Sequence, residues 1–156
     1  MKLNILRTIL IILLMLHMWI IFGFSNQNGE ESGSISRKIT QMITKNIKSI
    51  QELEEQEKEK VLKNIEHFIR KLAHFSIYTI MGILLMSLML TYNLKTKNRI
   101  IISGVIGLIY AISDEIHQSF IPNRTPLIGD VFIDFSGVIV GILMVYIIFK
   151  QLKKEK

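Results

Sequence analysis

The chain is predicted to be all-α, an integral membrane four-helix bundle with a polar helical insertion between its first and second spans. Apolar residues are gathered into four blocks, 3–24, 72–92, 100–121 and 127–149, rather than spread at helix or strand period. Each block is near the ~20 residues that a helix needs to cross a bilayer. The basic residues flank these blocks: Lys2 and Arg7 at the start, Lys95, Lys97 and Arg99 in the short link after the second, and Lys150, Lys153, Lys154 and Lys156 at the end. Net charge is +6 over 156 residues. Placed at span ends, that charge reads as a topological signal rather than a nucleic-acid surface.

The first block, 3–24, is read as an uncleaved span. A cleaved signal has an h-region of ~7–15 residues and a small-residue cleavage site, and Phe22-Gly23-Phe24-Ser25 offers none. The insertion, 25–71, opens with the polar, glycine-bearing run Asn26 to Ser34. A helix capped by Ser34 or Ser36 is expected next, because Ile39, Met42, Ile43, Ile47 and Ile50 recur at spacings of three and four. That stripe suits either a bilayer surface or packing against the rest of the chain or a partner. The run 51–60 is a solvated Glu/Lys segment without assigned chemistry. Val61, Leu62, Ile65, Phe68, Ile69 and Leu72 restore a helical stripe that leads directly into the second span, so the helix is expected to cross the interface unbroken.

With four spans, the basic clusters fall on one side, which the positive-inside rule makes cytoplasmic. The insertion has nine basic residues of its own, with eight glutamates. In this topology the polar side chains of the spans collect at the opposite side. Ser25 and Gln27 end the first span, Arg70 and His74 begin the second, and Asp114, Glu115, His117 and Gln118 end the third. Arg124 lies in the following loop, and Asp130 and Asp134 lie on the first turns of the fourth span. Arg70 with His74, Asp130 with Asp134, and Asp114 with His117 are three or four apart, so each pair shares a helix face and three faces are able to turn toward one cavity. A centrally placed Asp costs roughly 2.5–3.5 kcal/mol even on the lower scales, so such groups face a bundle interior or a wet cavity with partners. Glu115 points about 100° from Asp114, and one of the two is expected to pair with Arg70 or Arg124.

These residue types allow several chemistries. Paired charges alone would lock a bundle. A histidine among carboxylates is a proton carrier near neutral pH. His74, Asp114, Glu115, His117, Asp130 and Asp134 are also admissible zinc, manganese or magnesium ligands, but no His-Glu-x-x-His run or cysteine supports a metal site, and no cofactor is called for. His17 is expected to be a hydrogen-bonded structural histidine and His67 interfacial. Gly137 with Gly141, and Gly104 with Gly107, offer close helix approach. Pro122 and Pro126 shape the loop before the fourth span, where Asn123-Arg124-Thr125 matches a glycosylation pattern only by chance.

Four segments carry a resemblance: Phe24-Ser25-Asn26-Gln27, Arg70-Lys71-Leu72-Ala73-His74-Phe75-Ser76-Ile77-Tyr78, the run from Tyr110 through Ser113-Asp114-Glu115-Ile116-His117-Gln118 to Arg124, and Asp130-Val131-Phe132-Ile133-Asp134 followed by Gly137 and Gly141. Together they resemble the VanZ-like family of bacterial membrane proteins, named for a glycopeptide resistance determinant, over almost the whole chain. The family often has a glutamate just before the tyrosine of its second motif. Here that position is Ile77, so no role for that carboxylate carries over. The resemblance implies a multi-span envelope protein, with members linked to reduced susceptibility to teicoplanin-type lipoglycopeptides.

The expected protein is therefore a single domain of the bacterial cytoplasmic membrane with both termini cytoplasmic. An outward-facing pocket would bind or modify an envelope lipid or lipid-linked cell-wall precursor. Ser25, Gln27, Arg70, Gln118 and Arg124 would hold the substrate, the arginines taking an anionic headgroup. His74 or His117 would move a proton, oriented by Asp114, Glu115, Asp130 or Asp134. A proton- or ion-coupled transporter component is the first alternative, and a homo-oligomer would then have to complete the path. A non-catalytic membrane interaction protein acting through the insertion is the second.

Overall fold

The computed structural model describes residues 2–122, 124 and 127–154, so the expectations placed on Asn123, Thr125 and Pro126 lie outside the described residues. Six helices follow in order: α1 (Lys2–Ser25), α2 (Gly29–Thr44), α3 (Lys48–Gln51), α4 (Glu55–Leu90), α5 (Thr96–Gln118) and α6 (Ile128–Lys154). Four of these, α1, α4, α5 and α6, are long and apolar enough to cross a membrane. The chain is an all-α membrane bundle.

The second apolar block belongs to a longer helix than a span requires. With 36 residues, α4 is about 54 Å long at 1.5 Å per residue, against a hydrocarbon core of about 30 Å. Its first turns therefore project beyond the bundle beside α2, forming what is here called the insertion end. Helix α2 starts at Gly29, several residues earlier than a Ser34 or Ser36 cap would place it. Within α2, Ser36, Thr40 and Thr44 are buried, whereas Ile35, Ile39, Met42 and Ile43 are exposed. The small hydroxyl residues therefore turn toward α4, and the apolar stripe faces outward. The chain breaks at 45–47, so Ile47 precedes the short α3 and the stripe is divided between two helices.

The core is built on α4 and α6, which run in the same direction and make the most extensive helix pair. A side chain at Gly82 would collide with the Val138 carbonyl, one at Gly137 with the Phe75 carbonyl, and one at Gly141 with the Thr79 carbonyl. Backbone thus lies on backbone, as small residues allow between membrane helices. This packing fixes the register that sets Asp134 beside His74 and Asp130 beside Lys71. Below that layer Met81, Leu85, Met86, Val138 and Ile142 are almost wholly buried. Gly107 packs on the Val138 side chain, but nothing lies within 4 Å of a Cβ built at Gly104, so that buried glycine has room for a methyl group.

Helix α1 lies on α4 and α5 and leaves most of its surface outward, with Trp19 72% exposed. Its polar contacts tie it down at several heights. Arg7 donates to the Thr91 carbonyl at 2.8 Å and covers the Tyr92 ring at 4.1 Å. His17 Nε2 donates to the Ile77 carbonyl at 2.8 Å, the structural role expected for it. Tyr110 of α5 donates to the Met18 carbonyl at 2.6 Å. Each bond satisfies a group that would otherwise be unpaired in hydrocarbon.

Candidate functional site

At the insertion end, α4, α5 and α6 and the loop between the last two enclose a polar cavity of about 190 Å³. Arg70, Lys71 and His74 reach it from α4, Gln118 from the end of α5, Arg124 from the loop, and Asp130 and Asp134 from the first turns of α6. The four-residue spacings of Arg70/His74 and Asp130/Asp134 place both members of each pair on one face. The α4–α6 register turns those two faces toward each other.

Asp134 is the most enclosed of these groups, 1% exposed, and its Oδ1 lies 3.5 Å from His74 Nδ1. This is ion-pair distance without hydrogen-bond alignment, so that oxygen is buried with no hydrogen-bond partner among the described residues. Asp130 Oδ1 lies 3.6 Å from Lys71 Nζ and likewise has no aligned hydrogen bond. The carboxylates of α6 thus retain accepting capacity at the cavity wall.

The guanidiniums are placed differently. Among the described residues, neither Arg70 nor Arg124 takes part in an ion pair with a carboxylate. Arg70 Nη2 donates to His67 Nδ1 at 3.4 Å, and Arg124 Nη2 donates to the Phe24 carbonyl at 3.1 Å. Burial, followed by the neighbouring Arg70 charge, holds Arg124 below its ordinary pKa, with Asp114 and Glu115 acting in the opposite direction. An arginine stays charged in proteins despite such shifts. Two guanidiniums facing one cavity, each with unused donors, have the chemistry to take a planar or tetrahedral anion.

The third face behaves otherwise. Asp114 Oδ2 accepts from Tyr78 Oη at 2.9 Å and from Gln118 Nε2 at 3.0 Å, so Asp114 lies behind the cavity and meets it through Gln118. Gln118 also reaches Ser25 Oγ at 3.4 Å, joining α1 to this network. His117 turns away from Asp114 and stacks on Phe22 of α1, ring centroids 4.6 Å apart, with Nε2 buried and without a hydrogen-bond partner among the described residues. The shared Asp114–His117 face expected from a spacing of three is therefore split between α4 and α1. Glu115 turns toward the groove between α5 and α6, where its Oε1 accepts the Leu127 backbone N–H at 2.7 Å. Among the described residues neither Asp114 nor Glu115 pairs with an arginine, contrary to the expected pairing; Tyr78, Gln118 and the Leu127 backbone satisfy them instead.

Ser25 and Gln27 line an adjacent groove of about 250 Å³ rather than the polar cavity itself. Two participants were missed in the sequence reading: Lys71, which pairs with Asp130, and Tyr78, which holds Asp114. Tyr78 was detectable in principle, since Arg70, His74 and Tyr78 form one four-residue ladder along α4. Lys71 directly follows Arg70 and carried no such periodic mark. Among the described residues no three histidine or carboxylate side chains form a metal-binding cluster.

The VanZ/LLP1 family model matches residues 10–150, which includes every residue lining this cavity. No curated protein and no solved structure matches the chain. Because the match spans most of the sequence and all four membrane helices, this protein belongs to the VanZ/LLP1 family.

Proposed function

We propose that this protein uses the polar cavity to bind the anionic headgroup of a membrane lipid or lipid-linked cell-wall precursor. In this reading it is a single domain of the bacterial cytoplasmic membrane, the termini are cytoplasmic and the cavity opens outward. The observation that carries the reading is the pair of guanidiniums, Arg70 and Arg124, which face a cavity without carboxylate partners among the described residues. A phosphate would supply the missing counter-charge through charge-assisted hydrogen bonds. Lys71 adds a third cation, partly occupied by Asp130.

The His74–Asp134 pair gives the site a group able to move a proton. Asp134 would hold the imidazole and stabilise its protonated form, while the ring faces the bound headgroup. In this reading modification of the headgroup would fall to His74 and Asp134, with no part for His117 or Glu115. The family resemblance supplies the phenotype to examine, susceptibility to teicoplanin-type lipoglycopeptides. The proton- or ion-path alternative has weaker support, because the interior next to the cavity is closed by Met81, Leu85, Val138 and Ile142.

Binding of glycerol 3-phosphate to the purified full-length protein tests the headgroup reading. Arg70→Gln and Arg124→Gln should each weaken binding by about ten- to a hundredfold, the value of a charge-assisted bond of roughly 1.5–3 kcal/mol. Unchanged affinity in both variants would remove the cavity from the explanation.

A further inference from the structure

The polar cavity does not stand alone. Arg70 and His74 also line the adjacent 250 Å³ groove, whose other walls are Ile21 and Phe24 of α1, Ile35 and Ile39 of α2, and Ile77 of α4. One helical face of α4 therefore closes a charged compartment on one side and an apolar compartment on the other. Neither volume reaches the roughly 300 Å³ at which small-molecule sites begin, but the two together, which share Arg70 and His74 as walls, exceed it. The apolar rim is outward-facing, since Phe24, Ile35 and Ile39 are exposed. In a helix flanking a membrane bundle, that rim meets acyl chains rather than water.

On the basis of the headgroup reading above, we infer that the groove beneath α2 holds one apolar chain of the same ligand, so that the site takes a phosphate-bearing amphiphile with a single chain inserted. Its phosphate contacts Arg70 and Arg124, its linkage passes His74, and its chain runs between α1, α2 and α4. A second apolar groove, between α5 and α6, includes Phe132 and Glu115 but none of the cavity cations. A second chain of the ligand would thus remain in the bilayer. Helix α2 becomes the chain-selecting element. Its Ser36, Thr40 and Thr44 ladder rests on α4, and the same placement sets Ile35 and Ile39 over the groove.

The test uses dodecyl phosphate with a photoactivatable diazirine at the chain end, glycerol 3-phosphate as a chainless competitor, and the full-length protein in lipid nanodiscs. Crosslinks should map to Ile21, Ile35, Ile39 or Ile77 and be suppressed by the competitor. Ile39→Trp, which fills the groove, should weaken dodecyl phosphate by about tenfold while leaving glycerol 3-phosphate within about twofold, because only apolar burial is lost. Crosslinks spread over lipid-facing positions such as Trp19 and Ile128, with glycerol 3-phosphate still bound, would overturn the chain assignment and leave the headgroup reading intact. Failure of the wild type to bind glycerol 3-phosphate would instead remove the headgroup reading, and the chain assignment with it.

Discussion

Tyr78 and His117 show how neighbouring polar residues at one level of the bundle come to have separate duties. Tyr78 is fully buried and gives its only proton to Asp114, which also accepts from Gln118. Tyr78→Phe should therefore destabilise the protein by about 1–3 kcal/mol, the cost of a buried acceptor losing a partner, read from detergent-solubilised thermal unfolding. His117 carries a ring stack and a buried nitrogen without a partner. His117→Phe keeps the stack on Phe22 and removes the unpaired nitrogen, so stability and glycerol 3-phosphate binding should both survive. His74→Phe should lose binding, because it leaves Asp134 as an uncompensated buried charge at the cavity wall. Equal effects of the two histidine substitutions would contradict the separation. Residue types and spacings made the polar layer legible in the sequence. Which way α5 turns its carboxylates and His117 was not, because a spacing of three tells which residues share a face and not what that face meets.

At the scale of helices, the α4–α6 contact decides the geometry of the site. Gly141 and Gly82 have backbone where a side chain would stand, whereas Gly104 has open space. Gly141→Leu should separate the helices and cost roughly 1–3 kcal/mol as an overpacked contact. It should also weaken headgroup binding, since the same register aligns Asp134 with His74. Gly104→Ala should be silent in both measurements. The Gly137/Gly141 step was visible as a pattern, while its partner on α4 was not, because a single sequence carries no cross-helix register. Helix α2 makes the same point. Its apolar stripe was legible, but the buried face is the Ser36–Thr40–Thr44 ladder, whose small hydroxyls let α2 approach α4 and leave the stripe for the surroundings. A burial argument based on hydrophobicity alone misses a face built from small hydroxyl residues.

Over the whole molecule, four membrane helices bring α1 and α6 to the same side, and Lys/Arg clustering at that side predicts that it is cytoplasmic. Cysteines introduced at Asn4 and Gln151, in a chain that has none of its own, should both be shielded from an impermeant thiol reagent in intact cells, and one at Glu57 should be labelled. The fold was legible in its apolar blocks because bilayer thickness fixes the length of a span. That Arg70 and His74 wall both a charged cavity and an apolar groove was not, because this arises only where α1, α2 and α4 meet. An anionic amphiphile held where these two compartments meet is detectable by native mass spectrometry of the protein released from its membrane. A phosphate-bearing anionic lipid should be retained by the wild type and lost in the Arg70→Gln/Arg124→Gln double variant. Identical lipid adducts on both proteins would contradict it.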